Sequence, residues 1–302
     1  MKTALLTGAS GLLGSYLVPK LGVEYKVVSL QRRDADVECD LSVSEPRLEG
    51  RKFNLVVHAA GTEVESDALA VNLEGTRRLL KSLEANPPDE FVFVSSWEVY
   101  SPDAGEDVGE SRNLWASTKC GQSKALAEGL LSDWCRDHGV LLTVIRPARM
   151  LGKGVKGEMA RLFNDVVSGR YIHVRDNYAR LSIVCASDVA EAVNMLHSIG
   201  GIYNITDGRG VTWLELADAM SANCGQMKRQ TFLPRKWASL AWHFASWLPP
   251  VKASLDPEVL ARRGKTLVLS DAAVRSVLGE RWKPFPTLEV LARTCRDYPY
   301  ID

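Results

Sequence analysis

The chain has no excess of either charge: Lys plus Arg and Asp plus Glu each number 37 in 302 residues. That balance gives no basic face for nucleic acid or an anionic membrane, so neither is expected as a partner. None of the six cysteines, at 39, 120, 135, 185, 224 and 295, stands in a Cys-x-x-Cys pair. No histidine cluster accompanies them, so no metal site is expected. Scattered thiols suit a reducing compartment. No apolar run reaches the roughly 20 residues that span a bilayer. The nearest approach, Trp237 to Leu248, is interrupted by His243 and Ser246. Met1 and Lys2 lead straight into a strand-like run, with no apolar segment or cleavage site of a signal peptide, so a cytoplasmic protein is expected. There is no internal repeat and no low-complexity linker. What is left is an ordinary globular composition, 46% apolar and 25% charged. The length suits one large domain, with or without a smaller lobe.

The first half alternates short apolar runs with helical periodicity. Residues 3–8, 26–30, 53–61, 90–96 and 140–147 read as strands, and 12–22, 68–85 and 116–137 as helices. Continuous apolar strands separated by helices predict a parallel sheet covered on both faces, a doubly wound α/β Rossmann domain. After residue 150 the pattern loosens. Residues 178–198 read as a strand, a Ser187 or Asp188 cap and a helix, and 201–208 as a late strand. Residues 212–220 form an amphipathic helix with Thr212 as its cap. The expected division is a Rossmann domain over 1–150 plus roughly 178–206. A smaller, mostly helical C-terminal substrate lobe would take 151–177 and 207–302.

"TGASGLLG" sets Gly8, Gly11 and Gly14 between the first strand and the first helix. Gly8 allows the tight turn, Gly11 the approach of a pyrophosphate and Gly14 close helix packing, with the helix N-terminus facing the phosphates. Ser10, Leu12 and Leu13 complete that cofactor-binding turn. At the end of the second strand, NAD binders place an acid for the ribose 2′-hydroxyl. This chain has Gln31, Arg32 and Arg33 instead. Guanidiniums pair with a 2′-phosphate, so the expected cofactor is NADP, with NAD as the alternative. The competing reading of both arginines is two solvated loop charges, and Asp34 bears on either.

Taken in order, these pieces resemble the extended short-chain dehydrogenase/reductase superfamily, the NAD-dependent epimerase/dehydratase family. The matching segments are TGASGLLG (7–14), CDL (39–41), VVHAAG (56–61), VNLEGT (71–76), VFVSSWEVY (92–100), Ser123-Lys124 with Glu128, and VIRPARMLGKG (144–154). SIVCASDVAEA (182–192), GIYNITDGRGVTWLEL (201–215) and residues 269–291 resemble the 3β-hydroxysteroid dehydrogenase-like branch. The resemblance implies that Asp40 and Leu41 contact adenine, that Ala59, Ala60 and Gly61 line the nicotinamide ribose, and that Pro147 and Ala148 border the nicotinamide. It places Ser96 and Lys124 at the catalytic Ser/Thr and Lys positions. In relatives a Tyr moves the substrate proton, the Lys lowers its pKa and holds the ribose, and the Ser polarises the oxygen. It also implies a homodimer through a four-helix interface.

That tyrosine is missing. "CGQSKALAE" fits Tyr-Gly-x-Ser-Lys-x-x-x-Glu with Cys120 in the Tyr place, four residues before Lys124 and on its helix face. The alternative register, Trp115 with Lys119, supplies no Tyr either. A thiol beside an ammonium is expected to have a lowered pKa. Yet it is shorter than a phenol and a weak donor, so Cys120 reads either as a substitute donor or as a small buried residue. Glu98, in "SSWEVY", resembles the base of nucleotide-sugar dehydratases; the competing reading is an exposed turn acid. Trp97 stands where dehydratases carry an Asp, which favours an apolar substrate. Tyr100, Tyr178, Met150, Arg149 and Arg180 could approach the site. Arg180 matches an Arg that sugar-processing relatives use for a substrate phosphate, and otherwise reads as a surface charge. His58 reads as a packed strand residue. Residues 236–248 read as lobe core or as an amphipathic lid.

Three readings follow. The first is an NADP-dependent oxidoreductase for a ketone or secondary alcohol, with Ser96, Lys124, Cys120 and Glu98 as the catalytic set. The second is a nucleotide-sugar epimerase or dehydratase with bound NAD. The third is a catalytically silent NAD(P)-binding protein.

Overall fold

The computed structural model describes residues 2–223, 231–234, 257–289 and 291. Its first strand shows why the apolar runs are strands. In β1 (Lys2–Thr7), Ala4 and Leu6 face one core and Leu5 the other. Residues Leu55 and Val57 against Val56, and Val92 and Val94 against Phe91 and Phe93, split the same way. The two-residue period of a strand sends neighbours to opposite faces, so a sheet buried on both must be apolar throughout.

The strands that follow are β2 (Tyr25–Gln31), β3 (Val37–Glu38), β4 (Leu55–His58), β5 (Glu90–Val94), β6 (Gly105–Val108), β7 (Leu141–Pro147) and β8 (Arg149–Leu151). Then come β9 (Ile172–Val174), β10 (Arg180–Cys185), β11 (Gly201–Ile205), β12 (Gly210–Thr212), β13 (Thr231–Leu233) and β14 (Leu267–Leu269). The main sheet has seven parallel strands in the order β11-β7-β5-β4-β1-β2-β3. The order reverses between β1 and β4, which opens a crevice at their carboxyl ends, Thr7 and His58. The helices α1 (Leu12–Leu21), α2 (Gly75–Leu83) and α3 (Lys119–His138) cover the sheet; α1 packs on the Ala4 face, and α2 and α3 on the Leu5 face. A π-helical turn, Leu69–Glu74, leads into α2.

The expected domain division distributes as follows. From 178–206, β11 joins the main sheet and α5 (Ala186–Leu196) packs beside α1, while β10 pairs with β8, β12 and β14. The lobe therefore adds short strands to its helices α4 (Gly157–Val167), α6 (Trp213–Asn223) and α7 (Pro257–Arg263). Next, α8 (Ala272–Leu278) packs on the Ala4-side core. Strand β6, which the sequence pattern did not suggest, pairs with β14.

One cap follows the sequence reading, one was not nominated by it, and one does not follow it. Thr118 Oγ1 accepts from the Gly121 amide at 2.9 Å to start α3. Thr212 and Glu215 form a reciprocal box at α6: Glu215 N donates to Thr212 Oγ1 at 3.1 Å, and Thr212 N to Glu215 Oε2 at 2.7 Å. At α5 neither Ser187 nor Asp188 caps the helix. Its N-cap is Cys185, without a side-chain bond, and the Asp188 carboxylate instead accepts from the Phe285 amide at 2.9 Å. Both residues lie inside the first turn, too far along to cap it. The Trp-rich run 236–248 lies outside the described residues. Among the described residues, no helix is long and apolar enough to cross a membrane.

Candidate active site

The glycine turn is built for close approach. Gly8 has φ +74°, and a Cβ there would lie 2.8 Å from the Ala60 amide nitrogen. A Cβ on Gly14 would lie 2.1 Å from the Gly8 carbonyl oxygen. Only glycine lets α1 and the end of β4 close on this turn. Gly11 begins α1 with no side-chain cap, so side chains leave the first amides to an anion. Ser10 N donates to Gln31 Oε1 at 3.0 Å, which joins the turn to the end of β2. Next to it Arg32 and Arg33 are exposed. Leu12 is half-buried and Leu13 buried against β1. Asp40 accepts from Ser42 N and Oγ, and these bonds hold its carboxyl below its ordinary range. Leu41 is buried, and its carbonyl accepts from Arg78. The turn is thus joined to the end of β2, which Arg32 and Arg33 follow.

Across β1, the end of β4 is fixed by a buried relay. Ala60 N donates to Thr7 Oγ1 at 3.0 Å, which donates to His58 Nδ1 at 2.7 Å. His58 Nε2 donates to Thr76 Oγ1 at 2.9 Å, and that hydroxyl to the Asn72 carbonyl at 2.6 Å. The directions follow from each hydroxyl having one proton. Burial, and then the charge of Lys124, pushes the His58 pKa down to about 3, so the ring is neutral. His58 is a packed strand residue, as its sequence context suggests, and it also orients the Ala59–Ala60 segment.

Lys124 is buried, and its Nζ donates to the Val94 carbonyl at 2.8 Å. A Cβ on Gly61 would lie 3.0 Å from that Nζ, so the lysine reaches the cofactor side of the crevice. Burial lowers its pKa to about 8, against the opposing charge of Glu128. The Asn72 side chain bridges Thr62 and the Ser123 hydroxyl. Sequence reading did not nominate Asn72, although VNLEGT carried the signal. Pro147 ends β7, and Ala148, also buried, donates its amide to the Ile205 carbonyl at 2.9 Å.

Cys120 is buried and, contrary to the expected lowering, its thiol is pushed up to about 12. Burial is the main cause, and the charges of Glu98 and Glu65 add to it. The Lys124 ammonium, which donates to the Val94 carbonyl, does not offset that burial and acidic charge. Glu98 is not an exposed turn acid. It is half-buried, and burial, followed by the charge of Glu63, raises its carboxyl to about 7. Ser96 Oγ accepts from the Glu98 amide at 3.1 Å. Beside this turn lies a narrow, partly open cavity whose wall includes Trp97, Glu98, Arg149, Arg180, Trp213 and Arg262. The Arg149 guanidinium stacks 3.5 Å over the Trp97 ring and pairs with Glu158 at 3.4 Å. Arg180 pairs with Glu106 at 2.8 Å. Tyr100 also lines this cavity, but its hydroxyl donates to Asn204 Oδ1 at 2.9 Å in a buried network. Tyr178 is 77% exposed. Met150 is half-buried against the core.

A glycine cradle at the switch point of a parallel sheet, faced by a buried lysine, defines a dinucleotide-binding α/β protein of the extended short-chain dehydrogenase/reductase class. The NAD dependent epimerase/dehydratase family model matches residues 4–206, and the chain belongs to that family. Its relatives include a UDP-glucose 4-epimerase and a GDP-6-deoxy-D-mannose reductase. The N-acetyl-alpha-D-glucosaminyl-diphospho-ditrans,octacis-undecaprenol 4-epimerase of Escherichia coli O157:H7 is 25% identical over 224 residues, 67% of this chain and 66% of its own. The chain thus spans about two thirds of that relative. UDP-glucose 4-epimerase of Bacillus subtilis is 25% identical over 325 aligned positions, 89% of this chain and 95% of its own. RMD of Pseudomonas aeruginosa, solved with NADPH, has a TM-score of 0.72 at 22% identity, over 97% of this chain and 98% of that one.

Proposed function

We propose that the chain is an NADP-dependent oxidoreductase for a ketone or secondary alcohol, in which Glu98 rather than Cys120 moves the proton. The observation that carries this reading is the half-buried Glu98 carboxyl on the cavity wall, raised to about 7. Such a group both holds and releases a proton near neutral pH. A thiol raised to about 12 stays protonated, and it is a weak donor. Cys120 then serves as a small residue that leaves room for the substrate oxygen, or a bridging water, to reach Glu98.

Ser96 Oγ accepts from the Glu98 amide, which leaves its own proton for the substrate oxygen. The glycine turn fits a nicotinamide dinucleotide, since a Cβ at Gly8 or Gly14 would fill the space by which backbone approaches backbone. Gly8, Ser10, Gly11 and Gly14 would hold the pyrophosphate, Arg32 and Arg33 a 2′-phosphate, Asp40 and Leu41 the adenine, and Lys124 the ribose. Bound there, that cofactor supplies or accepts the hydride. Trp97 and Trp213 give the cavity the aromatic wall of an apolar substrate.

The second reading, an epimerase or dehydratase with bound NAD, is favoured by the cations Arg149, Arg180, Arg262 and Lys265 on the same wall. They suit a substrate with an anionic group, such as a nucleotide sugar. Absorbance of the reduced cofactor during turnover separates the two. An oxidoreductase consumes it mole for mole with substrate, whereas an epimerase or dehydratase returns it and shows no net change. Calorimetric binding of neither NADPH nor NADH would remove both readings.

A further inference from the structure

Glu128 sits on α3 one turn beyond Lys124, 6% exposed. Its carboxylate takes Arg146 Nε at 3.1 Å and Nη2 at 2.6 Å from β7, and the Ser95 hydroxyl from the end of β5. Arg146 extends the set. Its Nη1 donates to the Tyr100 hydroxyl at 2.8 Å and to the Glu110 carbonyl at 3.1 Å, and Tyr100 donates on to Asn204 of β11. One carboxylate thus joins α3 to the carboxyl ends of neighbouring strands. A buried ion pair is weak evidence for stability, because desolvation offsets the attraction. Two other neighbours of Glu128 belong to the site: Lys124 shares its helix face, and Ser95 directly precedes Ser96.

We infer that Glu128 is a positioning residue whose carboxylate keeps the Lys124 ammonium charged in a desolvated site and ties down the segment that carries the Ser96 hydroxyl. The inference rests on the proposed function only for the use made of Lys124 and Ser96. An ammonium stripped of water loses its proton more readily, and a nearby carboxylate opposes that loss. The groups around Lys124 are Cys120 and Glu128 on α3, the neutral His58 of β4, and the Val94 carbonyl and Phe93 ring of β5, while Arg146 of β7 pairs with Glu128. Among them Glu128 is the one carboxylate, a turn along the same helix face, and its charge favours the ammonium.

The test uses the full chain without cofactor. The Lys124 ammonium is followed by side-chain NMR across pH and assigned by its loss in Lys124→Met. The double variant Glu128→Gln/Arg146→Gln removes both charges and keeps their shape. Its Lys124 midpoint is expected to fall by about one unit. Ser95→Ala leaves both charges in place and is expected to quicken hydrogen exchange at the Glu98 amide, which hangs on Ser96 Oγ. An unmoved midpoint in the double variant, or parent-like exchange in Ser95→Ala, overturns the inference. If the double variant does not fold, Glu128→Asp draws the carboxylate back by one methylene, and the midpoint is read in the same way. Failure of the proposed function is seen separately, as absence of NADPH and NADH binding to the parent chain, which these titrations do not need.

Discussion

A Cβ on Gly121 would lie 2.1 Å from the carbonyl oxygen of Glu98. Helix α3 therefore docks by bare backbone on the turn that carries the candidate acid. In Gly121→Ala the added methyl meets rigid backbone rather than the end of a flexible side chain. Alanine's helix propensity returns up to about 1 kcal/mol, but overpacking of this kind costs more, and a net loss of about 2 kcal/mol is expected. Urea unfolding checks it, and parent-like stability would mean that α3 is free to shift.

Glu98 and Cys120 are expected to respond oppositely to removal of their functional groups. Glu98→Gln should lower kcat/KM by about 100-fold or more, the usual scale for a lost general acid or base. Cys120→Ala should leave it within a few-fold, because the thiol neither ionises nor donates strongly. The converse result in steady-state kinetics would return the proton to Cys120.

The raised carboxyl of Glu98 also sets a pH dependence. For carbonyl reduction the acid form is the active one, so kcat/KM should fall as pH rises through about 7. Stability follows the same direction. Between the ordinary value of 4.5 and about 7, the folded chain keeps a proton that the unfolded chain has released. Its contribution is full below that window and is lost as pH rises through it. Asp188, raised by burial to about 6, acts in the same sense. The measurement is therefore the difference between the parent and Glu98→Gln in denaturant titrations at several pH values, and a difference independent of pH counts against the assignment.

Cofactor choice should lie with the arginines after β2. Charge-assisted bonds to a phosphate are worth enough that losing each costs about 10-fold in affinity. Arg32→Ala and Arg33→Ala should each weaken NADPH and leave NADH nearly unchanged in calorimetry. Equal weakening of both cofactors would make these residues general surface charges.

Some of this was legible along the chain. Strand and helix positions in the first half follow from apolar runs and periodicity, since a sheet buried on both faces admits few polar residues. The glycine turn was legible because its spacing reflects backbone geometry that other residues cannot adopt. The Thr212 cap follows a local rule that survived folding. The α5 cap did not, because the helix starts at Ala186 and so puts Ser187 and Asp188 inside its first turn. The importance of Asn72 and Gly121 was not read, since each acts on residues far away in sequence.

By itself the sequence determined the parallel α/β fold and the glycine turn, because each is set by residue type at short spacing. Tertiary structure alone decided how the candidate site residues behave. It buried Cys120 near Glu98 and Glu65 and so raised its thiol. It placed Lys124 against the Val94 carbonyl, turned Tyr100 into a buried network, and lifted Glu98 to about 7. Burial and neighbouring charge fix a pKa, and both depend on what the rest of the chain brings near.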